Sequence, residues 1–345
     1  MRVLVSCPEP SAALLAAVIE RDLADRVPGL SVVRLPAADP TFGFWEGVKA
    51  AYRGRRWVLA AERLARARAP DVALLVGMPG LNLPLGSRLR RSGVPVVMVA
   101  PPQVWVWGRW RVRAVRRAAD LVVCFLPFEQ PLWSAAGVDA VFVGNPLLDL
   151  LADAAVRPGA TGDERLLLLP GSRPAELDFH RPLFLDCAAE LVRSRPGLEF
   201  REVLAPVDPQ PGRQLADANR RYRLMAGSSA ALAASGTVTL ELALLGVPMV
   251  ACYHLSRPTR LAARLLVRTR HFALPNILLG NGDVPELLEP SLRELAAAAG
   301  RLLDDPAALE LAAERAERLR RQLGPPGAGR RIARLVEKLA SRGAA

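Results

Sequence analysis

Short aliphatic runs punctuate this chain at regular intervals, and amphipathic or charged segments fill the gaps between them. Residues 2–6, 30–35, 72–76, 94–99, 121–126 and 140–143 read as strands. Most are near-continuous Val, Leu and Ala, as expected of strands covered on both faces. Residues 11–24, 81–91, 109–119 and 128–136 carry helical spacing, and 42–69 is a long amphipathic segment studded with arginine. This alternation predicts βαβ units and a parallel sheet. The pattern pauses over residues 151–165, which contain Pro158, Gly159 and Gly162, and a domain boundary is expected there. A second series follows, with strands at 166–169 and 198–204, a helix at 181–193 and a break at 206–213. An alanine-rich run ends at Ala234, a strand is expected at 249–253 and a helix at 258–268. Residues 293–323 read as helices interrupted by Asp304-Asp305-Pro306. The expected architecture is α/β, with two Rossmann-like αβα domains at 1–155 and 156–345 and a ligand cleft between the carboxyl ends of their sheets.

Two loops in the second series carry chemistry. Ala234-Ser235-Gly236-Thr237 opens a helix with small residues whose backbone N–H groups and helix dipole favour a phosphate. Glu241 lies about one and a half helical turns further on, where a carboxylate accepts hydrogen bonds from a ribose. Leu169-Pro170-Gly171-Ser172-Arg173 is a strand end turning to present an arginine. The plainer alternatives are an ordinary Ser/Thr helix cap at 235–237 and a surface turn at 171–173.

The net charge of +12 and the pI of about 10.8 come almost entirely from arginine. Such a chain suits a phosphorylated substrate or an anionic membrane surface, although arginine-rich composition can also reflect the genome. No recognised nucleic-acid motif accompanies the charge, so nucleic acid is not expected as a partner. Trp105, Trp107 and Trp110 interleave with Arg109, Arg111, Arg113, Arg116 and Arg117. This stretch suits an acyl-chain pocket or a membrane interface, or equally a buried Trp pair beside a solvated basic helix. No run of apolar residues is long enough to span a bilayer, and residues 1–7 read as a strand rather than a signal peptide. Four scattered cysteines without metal spacing favour a reducing cytoplasm. His180, His254 and His271 also lack metal spacing, and His254 reads as a structural histidine just after a strand.

Several segments, in order, resemble the lipid-A-disaccharide synthase family, inverting glycosyltransferases of GT-B fold. They are Val104-Trp-Val-Trp107, Phe125-Leu-Pro-Phe-Glu129, Phe142-Val-Gly-Asn-Pro-Leu147, Leu169–Arg173 with Ala175-Glu176, and Ala234–Thr237 with Leu240-Glu241. They continue through Pro248-Met-Val250, Tyr253 and Leu274-Pro-Asn276. The resemblance runs from about residue 70 to 290 and is weaker at the N-terminus. It implies transfer of an acylated glucosamine from a UDP-sugar donor to an acylated glucosamine phosphate, with release of UDP. It further implies a homodimer, and work at the inner face of the cell membrane. Ser172, Arg173, Ser235, Gly236, Thr237 and Glu241 would bind the UDP-sugar. Asn276 would lie near the donor, and Ser11, Asn82, Trp105 and Trp107 on the acceptor or acyl side. No cofactor and no metal is expected, the donor diphosphate being neutralised by Arg173 and helix amides.

Inversion also requires a group that takes the acceptor's proton. A family motif of the type Asp-Ala-Pro-Asp-Phe-Asn is here Gly77-Met-Pro-Gly80-Leu-Asn82, so both carboxylates are glycine. The family's Gly-Glu-x-Ser-Gly-Asp is here Pro8-Glu9-Pro-Ser11-Ala-Ala13, and its histidine in Phe-x-Gly-His is Asn145. Glu9 is then the nearest surviving catalytic base, or a solvated loop carboxylate. Three readings stay open: a synthase with a relocated base, a UDP-sugar transferase with a different acceptor, and a nucleotide-sugar-binding protein without transfer activity.

Overall fold

The computed structural model describes residues 1–37, 47–106, 108, 110–152, 164–204, 211–254 and 269–343, without the side chains of 10, 11, 47–51, 211–214 and 343. The described residues of Met1–Asp149 and from Leu323 on form one compact unit, and those of Leu150–Pro206 and Ala216–Gln322 another.

The first unit holds strands β1 (Arg2–Ser6), β2 (Ser31–Arg34), β3 (Val72–Val76), β4 (Val96–Val99), β5 (Leu121–Cys124) and β6 (Ala140–Phe142). They pair in parallel in the order β2-β1-β3-β4-β5-β6. Between them run helices α1 (Pro10–Ala24), α2 (Gly47–Arg68), α3 (Pro79–Arg91), α4 (Arg111–Ala118), α5 (Glu129–Ala135) and α6 (Leu147–Leu151). Strands β3 and β4 are buried along their whole length, which explains their unbroken aliphatic sequence. Helix α3 packs closely on α4, and Gly86 makes this possible: a methyl group there would run into the carbonyl of Ala118.

The second unit holds β7 (Arg165–Leu169), β8 (Glu199–Glu202), β9 (Ala230–Ala234), β10 (Met249–Tyr253) and β11 (Glu286–Leu288), also all parallel, in the order β11-β10-β9-β7-β8. Its helices are α7 (Pro174–Ser194), α8 (Pro211–Ala226), α9 (Thr237–Leu244), α10 (Leu274–Leu279), α11 (Leu292–Asp304) and α12 (Ala308–Leu323). The core under β7, β9 and β10 is filled by Phe184, Cys187 and Leu191 of α7 with Leu295, Ala298 and Ala299 of α11.

The two-sheet α/β architecture matches the sequence expectation, with two local differences. Helix α7 begins at Pro174 rather than near residue 181. Proline suits the first helical position, and Glu176 caps the amides just before it, so the helix starts directly after Arg173. Pro182 is accommodated inside the helix. The C-terminal helices do not all belong to the second unit. A further helix, α13 (Ala328–Gly343), packs against α1 in the first. Its apolar stripe Ile332, Ala333, Val336 and Ala340 is buried, and Asp149 accepts from the amide of Gly329 at 2.8 Å. The sequence reading of residues 258–268 as a helix falls outside the described residues. Among the described residues no helix is long and apolar enough to cross a membrane.

Because Gly86 meets backbone rather than a movable side chain, Gly86→Ala is expected to lower stability by about 1–3 kcal/mol. Gly80 of the same helix faces open space, so Gly80→Ala should leave stability unchanged or raise it by about 0.4–1 kcal/mol. Urea unfolding midpoints of the two variants check the contrast.

Candidate functional site

In an open parallel sheet, ligands bind beyond the carboxyl ends of the strands, where the strand order reverses. In the second unit that point lies between β7 and β9, since β8 follows on one side of β7 and β9 on the other. The two loops singled out from the sequence flank it. After β7 the chain turns at Gly171, whose φ of +111° and proximity to Glu176 leave no room for a side chain. Glu176 Oε2 accepts from the amides of Ser172 at 3.1 Å and Arg173 at 3.3 Å. Its other oxygen receives Arg173 Nη1 at 2.9 Å. The carboxylate therefore shapes the loop and restrains an arginine whose side chain is 63% exposed.

After β9, Ser235 is fixed by its amide to the Cys252 carbonyl at 2.7 Å and by its hydroxyl to the Phe272 carbonyl at 3.0 Å. Gly236 and Thr237 are exposed at the head of α9. The amides of a helix's first turn have no acceptor within the helix. Ser235 thus sets the loop's position, while Gly236 and Thr237 present its amides. Glu241, one turn on, is buried and paired with Arg221 Nη2 of α8 at 2.8 Å. Burial alone would lower the Arg221 pKa, yet Glu241 and the buried Tyr222 hold it above its ordinary value. Burial and the Glu241 charge push Tyr222 up. Glu241 already accepts one bond, from Arg221, a partner that the sequence reading did not include. Sequence reasoning missed Arg221, because nothing in the α8 pattern marks a partner twenty residues away.

On the far side of β9, Tyr253 stacks on Phe272 with ring centroids 5.5 Å apart, and it lies within the fields of Arg173 and Glu176. His254 stacks on Phe179 of α7 at 4.0 Å, and its Nδ1 is 3.4 Å from Glu289 Oε1. Phe179 and Glu289 were invisible as site residues, since only the packing of α7 and β11 brings them to His254. Asn276 is fully buried and pairs both ways with the backbone of Val284, at 2.8 and 3.0 Å. It fastens the loop between α10 and β11, so its visible task is structural.

The first unit has its own reversal point, between β1 and β3. There Glu9 Oε1 accepts from the Met78 amide at 2.8 Å. Gly77 and Met78 both have positive φ, 63° and 42°. A Cβ at position 77 would lie 3.3 Å from Glu9 Oε1 and 3.2 Å from Ala12 Cβ. Glu9 therefore supports the head of α3 beside one of the vanished carboxylates. Asn82 is buried beneath, donating to the carbonyls of Val76 and Gly77 and accepting from the Ser6 hydroxyl at 2.7 Å. It clamps the same loop. Trp105 donates to Glu129 at 3.1 Å and meets Phe128 edge-on. Burial holds the Glu129 carboxyl above the usual range, against the opposing bonds from Trp105 and the amides of Leu126 and Phe125. Asn145 bridges the Phe125 carbonyl and the Leu147 amide. The Ser11 side chain and Trp107 lie outside the described residues.

Two parallel-sheet α/β units of this kind define the class of GT-B folds. UDP-GlcNAc 2-epimerase from Neisseria meningitidis, solved bound to UDP-GlcNAc, matches with a TM-score of 0.67 at 13% identity, over 98% of this chain and 100% of that one. MurG of Acinetobacter baumannii gives 0.52 at 15%, over 98% and 99%. At such identities the likeness speaks for the fold. Sequence is more specific: the family model described as lipid-A-disaccharide synthetase matches residues 28–310. The lipid-A-disaccharide synthase of Anaeromyxobacter dehalogenans (strain 2CP-C) is 37% identical over 302 residues, 79% of this chain and 76% of its own. That of Myxococcus xanthus is 34% identical over 297 residues, covering 80% and 77%. The chain belongs to the lipid-A-disaccharide synthase family.

Removing Arg221 leaves Glu241 buried without its cation, so Arg221→Met is expected to cost about 3–5 kcal/mol. Adding Glu241→Leu should recover most of that loss. Thermal and urea unfolding of the single and double variants measure both.

Proposed function

We propose that the protein transfers an acylated glucosamine from a UDP-linked donor to an acylated glucosamine phosphate, inverting the anomeric centre and releasing UDP. The observation that carries this reading is the pairing of the Arg173 loop with the exposed head of α9 across the β7/β9 reversal point. As the bond from the anomeric carbon to phosphate breaks, negative charge grows on the departing diphosphate. A leashed guanidinium and oriented amides stabilise that charge without reorganising. Glu241, held by Arg221, has acceptor capacity left for a ribose hydroxyl. In this reading no metal or cofactor takes part.

Two observations bear on the acceptor. Gly77 and Gly80 stand where the family has carboxylates, which favours, as a second reading, a related acceptor in place of the usual one. Tyr52 and Trp110, each 62% exposed, accompany the exposed Arg53, Arg55, Arg56, Arg113, Arg116 and Arg117 on α2 and α4. Aromatic and arginine side chains together suit an anionic membrane face that supplies a lipid acceptor.

The test is to incubate the protein with UDP-2,3-diacylglucosamine and the acylated monosaccharide phosphate, following UDP and disaccharide. Both products are expected. UDP binding without disaccharide favours the second reading, and no UDP binding at millimolar concentration overturns the donor site. Arg173→Ala should weaken UDP binding about 10–100-fold by calorimetry, the worth of a charge-assisted contact.

A further inference from the structure

The transfer needs a proton acceptor, and the structure narrows where it stands. Positions 77 and 80 are glycine, and Glu9 Oε1 is engaged by the Met78 amide. Glu241 is buried against Arg221, and Glu176 is bound to the Ser172 and Arg173 amides and the Arg173 guanidinium. His254 is different. It follows β10 directly, on the same carboxyl edge as Arg173 and Ser235–Thr237, and its side chain is 28% exposed. Ser235 is tied to this strand through the Cys252 carbonyl, two residues before His254.

Three features orient the ring. Phe179, about one and a half turns past Arg173 on α7, stacks on it nearly parallel, at 16°. Glu289 places Oε1 3.4 Å from Nδ1, within ion-pairing range of a protonated imidazole. Glu289 itself has a φ of 50°, a left-handed conformation that a glutamate adopts at a cost, and its amide is fastened to the Tyr253 carbonyl at 2.9 Å. Strain of this kind concentrates at working sites. Among the described residues, the other titratable neighbours are His180 and Glu176 of α7, with Tyr253 and Arg173 beside them. Burial lowers the His180 pKa, and its ring meets Phe179 edge-on.

We infer that His254, oriented by Glu289 and Phe179, is the catalytic base of this chain. This inference rests on the donor-site reading above. Glu289 draws the ring proton to Nδ1 and leaves the Nε2 lone pair for the acceptor hydroxyl. As the acceptor oxygen bonds to the anomeric carbon, its proton passes to Nε2. The bond from carbon to the diphosphate breaks, and UDP departs with the electron pair. Glu289 stabilises the imidazolium so formed, which returns its proton to solvent.

The test compares His254→Gln, Glu289→Gln and Glu9→Gln in UDP-release kinetics across pH, with UDP affinity measured by calorimetry. His254→Gln is expected to lower kcat about 10²–10⁴-fold, with UDP affinity unchanged within about twofold. Added imidazole should restore part of the rate to His254→Ala. In Glu289→Gln the imidazolium loses the carboxylate that stabilises it, and the acid limb of kcat moves to lower pH. Wild-type kcat in His254→Gln, or an acid limb abolished by Glu9→Gln but untouched by either of the other variants, overturns the assignment. Should His254→Gln fail to fold, Glu289→Gln decides: a limb that does not move overturns it. Failure of the donor reading looks different, since wild-type protein would then not bind UDP.

Discussion

The parallel pairing of β7 with β8 on one side and β9 on the other is the constraint from which the donor half of the site follows. Parallel strands send all their carboxyl ends to one edge. A chain that adds strands first on one side and then on the other must leave a gap between two successive loops at that edge. Pro170–Arg173 and Ala234–Thr237 border that gap, and each ends at the start of a helix, α7 or α9. Two loops facing one gap, each opening a helix, thus arise from topology before any special side chain is added.

Side-chain carboxylates then do much of the fixing. Glu176 accepts two amides ahead of α7, Glu9 the amide of Met78, Glu129 those of Phe125 and Leu126, and Glu286 those of Phe272 and Ala273. Each satisfies backbone donors that a turn would otherwise leave unpaired. Asn82 and Asn276 serve similarly: Asn82 donates to two loop carbonyls and accepts from the Ser6 hydroxyl, and Asn276 engages the Val284 backbone with both ends of its amide. Residues that look like chemistry in a motif therefore act, in large part, as the frame that holds loops in place. Around the reversal point Arg173 lies exposed beside Glu176, the head of α9 is exposed, and His254 faces Glu289.

The contrast between the two reversal points follows from the same logic. In the second unit a glycine precedes an arginine. In the first, successive left-handed residues at Gly77 and Met78 place the backbone against Glu9, where any side chain at 77 would crowd its carboxylate. The first-unit loop is thus held from within and lacks the carboxylates of its relatives. That arrangement is consistent with proton transfer residing elsewhere.

The strands, most of the helices and the two-sheet α/β architecture were legible in the sequence. They rest on local signals: unbroken aliphatic runs, helical spacing, and small residues at helix starts. The start of α7 was not legible, because the bonds of Glu176 to the turn ahead of the helix appear only in the folded chain. Nor was the attachment of α13 to the first unit, since an amphipathic stripe states that it must be covered but not by what. The Arg221–Glu241 pair and the cage of Phe179 and Glu289 around His254 join residues from separate elements. Only the packing of helices on the sheet could bring them together. The sequence by itself determined which backbone shapes form and what anion they favour; the tertiary structure decided which polar side chains hold the frame and which remain to act.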